Sequence, residues 1–272
     1  MKQTLLTAAA CLLIFASCGN KNCKCDCSCE SCKCAKTDSA TGDATAALDY
    51  KVVEKPQVDI SKLPVDKDGY ITIFDGKTLD GWRCYGKDKA GSDWNVDDGA
   101  IHLKGSGNGE GGGVNGGDIL FAHKFKNFEL TFEYKVSKGA NSGVFYLAQE
   151  VTVNNNGKDE FIPIWQSASL YDMIPAKPQN AKPYGEWNTG KIMVYEGTVI
   201  HGQNGKNVVE YHLWTPKWKE MLDNSKFKAD GDFPIAYKLL LNMGGDNHEG
   251  YIAFQDHGDD VWYRNVKVKV LK

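Results

Sequence analysis

The chain has 272 residues, with 32 Lys plus Arg against 35 Asp plus Glu and a formal net charge of −3, so it lacks the basic excess that holds a polyanion and nucleic acid is excluded as an expected partner. At about 100–200 residues per domain, that length accommodates one large domain or two small ones. Twenty-nine glycines and an aromatic share of 11% are a turn-rich, aromatic-rich composition that favours β structure.

Residues 1–17 read as a signal peptide. Met1-Lys2 precedes an apolar run from Leu5 to Phe15 that is too short for the ~20 residues of a membrane-spanning helix but suits the apolar region of a secretory signal. The run ends in Phe15-Ala16-Ser17-Cys18, which resembles the lipobox of bacterial lipoproteins. That resemblance implies lipid modification of Cys18 and a place in the periplasm or at the outer membrane, the cell surface included; an ordinary soluble secretory signal is the other reading.

Residues 18–65 read as a Cys-rich and disordered tether. Eight of the nine cysteines lie in the first 34 residues, so the globular part is not a disulfide scaffold. Cys23, Cys25, Cys27, Cys29, Cys32 and Cys34 alternate with mostly polar residues in a spacing that fits neither a zinc finger nor a redox motif. Disulfides among themselves and soft-metal binding through thiolates both stay open. From Ala35 to about Leu63 the composition is that of an unstructured linker.

From Asp66 onward, in a domain spanning 66–272, the pattern is antiparallel β. Trp94 to Leu103 holds an Asp98-Gly99 turn between two apolar runs, which predicts a tight hairpin. Phe128 to Val136 alternates strictly, with Phe128, Leu130, Phe132, Tyr134 and Val136 on one face and charged or polar residues on the other. Lys191 to Leu213 repeats the form twice around Glu196-Gly197 and Asn204-Gly205, and Pro216 to about Lys228 alone has helical spacing. Gly250–Phe254 and Val261–Leu271 supply two further strands. Strands every 8–12 residues, without an internal repeat, predict an all-β sandwich of two antiparallel sheets. A curved sheet face left over by such a sandwich is a natural oligosaccharide groove.

The densest polar motif is Gln255-Asp256-His257-Gly258-Asp259. If the strand before it persists, Gln255 and His257 share an open face and Asp256 turns inward to satisfy loop backbone. A histidine with its ordinary pKa near ~6.5 is a competent general acid or base at neutral pH, whereas a tight turn capping its own amides is the plainer reading. Glu133 is a candidate carboxylate and Trp187 a candidate sugar-stacking ring, each with a structural alternative as surface or core residue. Gly-x-Ser-x-Gly, His-Glu-x-x-His and phosphate-loop motifs are missing, which leaves serine, zinc-protease and nucleotide chemistries unsupported.

Taken together, Phe74-Asp75-Gly76-Lys77-Thr78-Leu79-Asp80-Gly81-Trp82, Asn141-Ser142-Gly143-Val144, Gly185-Glu186-Trp187-Asn188, Asn204-Gly205, Gln255-Asp256-His257-Gly258 and Val261-Trp262-Tyr263-Arg264-Asn265 resemble the 3-keto-disaccharide hydrolase domain family over about Tyr70 to Leu271. The resemblance implies a concanavalin A-like, laminin-G-like jelly roll. It implies cleavage of glycosides already oxidised at C3 by a separate sugar 3-oxidoreductase: a base removes the C2 proton acidified by the ketone, the C1 aglycone leaves, and water adds to the resulting glucal. On that basis His257 and Glu133 are the catalytic candidates. Gln255, Asn141, Tyr171, Asn188 and Trp187 are the substrate-binding candidates. The resemblance fixes no cofactor: hydrogen-bond donors or a divalent metal ion would stabilise the enolate, and the metal stays open. One departure bears on activity. The family pattern carries a Glu-x-Gln-x-x-Asp strand and a His-Pro-Asp-Ala loop where Pro163–Ala168 here runs straight into Ser169-Leu170-Tyr171-Asp172. The loss of that acidic segment keeps a non-catalytic carbohydrate-binding lipoprotein open as the alternative.

Overall fold

The computed structural model describes residues 50–107, 115–155, 158–161 and 169–272, all within the compact unit Ala44–Lys272. The signal peptide, Cys18 and the Cys23–Cys34 run lie outside the described residues.

In chain order the strands are β1 (Tyr50–Val52), β2 (Ile71–Thr72), β3 (Trp82–Cys84), β4 (Trp94–Asp97), β5 (Ala100–Leu103), β6 (Ile119–Phe121), β7 (Phe128–Val136), β8 (Val144–Ala148), β9 (Val151–Asn155) and β10 (Lys158–Phe161). They continue with β11 (Asn188–Tyr195), β12 (Thr198–Gln203), β13 (Lys206–His212), then helices α1 (Pro216–Asp223) and α2 (Pro234–Leu241), and β14 (Tyr251–Phe254) and β15 (Val261–Val270). The large antiparallel sheet runs β13-β12-β11-β7-β15-β5-β4, with β2 beside β15; a second runs β3-β6-β14-β8, and a small satellite sheet runs β1-β9-β10.

The local chemistry that builds this meander is explicit. At Asp98-Gly99, Glu196-Gly197 and Asn204-Gly205 both turn residues have positive φ, the backbone of the two-residue hairpin turn whose twist matches the flanking strands. α1 begins where Thr215 caps it, its hydroxyl accepting the Trp218 N–H at 3.1 Å, with Pro216 in the first turn.

The core lies between the two main sheets. Phe128, Leu130 and Phe132 of β7 meet Ile252 and Phe254 of β14 in one buried cluster, and Phe254 stacks flat on Tyr263 of β15 at 3.8 Å between ring centroids. Tyr251 and Ala253, of opposite parity on β14, enter a separate cluster with Leu120 and Phe145. The face expected to be open is therefore covered: Tyr251 is fully buried and Gln255 is 7% exposed.

Part of that cover comes from residues expected to belong to the tether. β1 pairs with β9, the Val58 N–H donates to the Ala122 carbonyl at 2.7 Å, and Lys124 is bound to Glu54 at 2.6 Å. Val58 packs against the cluster that contains Leu120, Phe145 and Tyr251. Residues 50–65 are thus a strap of the domain: scattered apolar residues with no period of their own fold because a finished sheet offers them a surface.

Candidate functional site

Three loops far apart in sequence meet at one end of the sandwich. Asp256, 2% exposed, is their anchor: its carboxylate accepts the Gly117 N–H at 2.7 Å and the Gly258 N–H at 2.9 Å, and its own N–H donates to Asp118 at 2.8 Å. A Cβ at position 116 would come within 2.1 Å of the same carboxylate, so the glycine-rich strand connection approaches as it does only because Gly116 has no side chain. The Asn141 N–H donates to Asp259 at 2.8 Å, the Gln255 N–H to the Gly143 carbonyl at 2.9 Å, and the Gly107 N–H to the Gly258 carbonyl at 2.9 Å. His102 binds Asp260 at 2.8 Å. His257 sits inside this framework, partly exposed between the anchored Asp256 and Gly258.

Beside the loops, a cavity of about 220 Å³ opens between the sheets. Its walls are Phe132 and Tyr134 of β7, Gly190 of β11, His201 and Gln203 of β12, and Tyr263 of β15, closed by Ser142–Val144 and by Ser169, Ala176 and Gln179. Ser142 joins loops to cavity, its hydroxyl donating to the Gln255 carbonyl and bonded to the Tyr263 hydroxyl, each at 2.8 Å. Gln203 donates to the Tyr134 hydroxyl at 2.8 Å, and Tyr146 is hydrogen-bonded to His201 Nε2 at 2.9 Å and to Tyr211. Burial raises the phenols of Tyr263 and Tyr134, with the hydrogen bonds that they form with Ser142 and Gln203 opposing it only in part. Both tyrosines therefore keep their protons and act as neutral donors.

The residues singled out from sequence fall into separate places. Gln255, His257 and Asn141 come together at the loop end. Glu133 and Trp187 lie on the outer face of the large sheet. Burial raises the Glu133 carboxyl, but hydrogen bonds from Arg264 at 2.7 Å and Asn265 at 3.0 Å outweigh it and leave the group below its ordinary value. The Arg264 guanidinium covers the Trp187 ring at 3.9 Å. Glu133 lines a groove with Thr131, Thr189 and Asn265 on that outer face, whereas His257 belongs to the loop end after β14. Asn188 is 2% exposed and ties the Lys182 N–H to Asn204, at 2.7 and 2.8 Å, as a structural hinge of the β11 start. Tyr171 is exposed beneath the Lys226 ammonium at 4.2 Å. Among the described residues no group of three His, Cys, Asp or Glu side chains is disposed to hold a metal ion.

The cavity residues Tyr134, His201, Gln203 and Tyr263 were not singled out by sequence reasoning. One signal for two of them exists: in Val199-Ile200-His201-Gly202-Gln203 the period of two puts His201 and Gln203 on the face of buried Val199, and polar side chains aimed inward from a strand mark an internal site.

Fold and site define a jelly-roll sandwich with a largely apolar cavity between its sheets that carries a few polar side chains, and comparison with known proteins places it further. The chain belongs to the 3-keto-alpha-glucoside-1,2-lyase-like domain family, whose profile matches residues 69–269. It is 51% identical to a "3-keto-disaccharide hydrolase" of Bacteroides thetaiotaomicron, with 100% of both chains covered. That alignment extends over 303 residues against 272 here, so it passes through positions that this chain leaves empty. The acidic segment missing after Ala168 would adjoin residues 162–168, which lie outside the described residues. A crystal structure of a proposed glycosyl hydrolase from Parabacteroides distasonis ATCC 8503 shares the fold, with a TM-score of 0.57 and 24% identity over 75% of this chain and 95% of that one.

Proposed function

We propose that this chain cleaves 3-keto glycosides, and that the loop end around His257 is where the proton moves. The observation that carries the reading is the 51% identity to a 3-keto-disaccharide hydrolase over the whole of both chains. The convergence of the Asn141–Gly143 and Gln255–Asp259 loops, bonded directly to each other, supports the location.

The chemistry follows from the substrate. A ketone at C3 acidifies the C2 proton; His257 takes it, and the electron pair is held as the enolate of the C3 oxygen, where neutral donors stabilise the charge. The enolate then collapses, forming the C1–C2 double bond and breaking the bond from C1 to the aglycone oxygen. That oxygen takes a proton, and histidine, having just gained one, is a suitable source. Water adds hydroxyl to C1 and a proton to C2, so the net change is hydrolysis. Asn141, exposed at the loop end, contacts the substrate outside the cavity in this scheme, and Gln255, tied through its backbone to Gly143 and Ser142, positions that loop. Glu133, ionised and paired with Arg264 on the other face, has no part in it.

A sugar 3-oxidoreductase must supply the substrate. The Phe15–Cys18 lipobox supports lipid anchoring at Cys18, in the periplasm or at the outer membrane. For the test, the purified chain is incubated with 3-keto-trehalose, with and without added divalent metal, and products are followed by mass spectrometry. Release of 3-keto-glucose or its glucal is expected, with His257→Ala slower by about 10²–10⁴-fold. Intact substrate in every condition overturns the activity, and a fully active His257→Ala overturns the site.

A further inference from the structure

We propose that the cavity between the sheets receives a single pyranose ring, the 3-keto sugar itself, and that Gln203 and Tyr134 select it; this rests on the reading of the chain as an enzyme of 3-keto glycosides. Size comes first. At about 220 Å³ the cavity falls below the ~300–1,000 Å³ of pockets for drug-sized ligands, which suits one sugar ring and leaves a second ring, the aglycone, outside. The walls match the ring's two characters. Phe132, Val144 and Ile192 offer apolar surface to its faces, while amide and hydroxyl groups meet its edge.

The polar groups can be sorted by what each has left to give. The Ser142 hydroxyl hydrogen is committed to the Gln255 carbonyl, so its bond with Tyr263 uses the Tyr263 hydrogen. Tyr134 differs: its oxygen accepts from the Gln203 amide, so its own hydrogen remains available, and burial keeps that hydrogen in place. Gln203 is 6% exposed, and its Oε1 is buried without a hydrogen-bond partner among the described residues. A buried unpaired amide atom is unfavourable, and a sugar hydroxyl that satisfies it removes that penalty on binding.

The pair also reads oxidation state. A C3 ketone only accepts hydrogen bonds, whereas a C3 hydroxyl brings a hydrogen of its own. The Tyr134 hydroxyl, donating into the cavity, complements the ketone, and the Gln203 oxygen complements a neighbouring hydroxyl. A C3 hydroxyl can also accept from Tyr134, but its own hydrogen then needs an acceptor, and Gln203 Oε1 is already engaged by the neighbouring hydroxyl.

The test measures binding of 3-keto-glucose and of glucose by calorimetry to the purified wild-type chain, Gln203→Met and Tyr134→Phe, both near-isosteric, with turnover of 3-keto-trehalose on the same samples. Wild type should bind 3-keto-glucose about tenfold or more tighter than glucose. Gln203→Met should weaken both sugars about tenfold, the loss expected of one buried hydrogen bond, and Tyr134→Phe should erase the preference for the ketone. If both variants bind like wild type, or wild type binds neither sugar, the proposal is overturned; turnover in those same samples would leave the enzymatic reading standing. Binding that follows the predicted pattern without turnover would uphold the cavity and overturn the enzyme. Should Gln203→Met fail to fold by circular dichroism, Tyr134→Phe alone decides.

Discussion

The two faces of β7 differ in how they treat polar groups. Inward, Tyr134 stands next to buried Phe132 in the wall of the cavity, uncharged, with its proton held by burial. Outward, Glu133 and Lys135 are charged and engaged: Glu133 with Arg264, and Lys135 over the Trp262 ring at 4.3 Å. The lesson is that the inner face keeps neutral donors suited to a developing oxyanion, while the outer face holds its carboxylate as a conjugate base already satisfied. A sequence shows that residues 133 and 134 are neighbours, but the cross-strand partner at 264 decides which of them has chemistry to offer.

The contrast is sharpened by a second ion pair placed inside. Arg83 and Glu150, with side chains 6% and 0% exposed, bond through both guanidinium nitrogens at 2.6 Å, whereas Arg264 and Glu133 are 35% and 27% exposed. Glu150→Gln leaves the Arg83 charge buried without its partner and should cost about 3–5 kcal/mol in urea denaturation. Glu133→Gln should cost no more than about 1 kcal/mol. Equal losses in the two variants would break the comparison.

The smallest effect is the pH dependence of the outer pair. Because the Glu133 carboxyl titrates below its ordinary value of 4.5 when folded, its stabilisation is complete above that pH and is lost as pH falls through the lowered value. The stability difference between wild type and Glu133→Gln should therefore be constant near neutrality and shrink in acid. A difference that grows in acid would contradict the assigned partner.

The strands were legible because their signals are local. Phe128–Val136 alternates over nine residues and forms β7 over that span, and the three glycine-containing hairpin turns require the backbone they adopt. α2 was not legible: Pro234-Ile235-Ala236-Tyr237-Lys238-Leu239-Leu240-Leu241 is a short, largely apolar run that periodicity cannot separate from a buried strand. The strap at 50–65 was taken for linker since its order comes from the sheet beneath it. Of the site, the Gln255–Asp259 motif announced itself by density, and Asp256 does turn inward to hold loop backbone. The cavity did not, since Tyr134, Ser142, Gln203 and Tyr263 reach it from four separate segments and carry no common spacing.

The central claim, that cleavage proceeds through loss of the C2 proton, is tested most directly by running the reaction with 3-keto-trehalose in deuterated water and examining the released 3-keto-glucose by NMR, against a control of product incubated alone. Elimination followed by hydration predicts solvent deuterium at C2 at the rate of product release. Product that keeps its original hydrogen at C2 would show direct displacement at C1 and contradict the account.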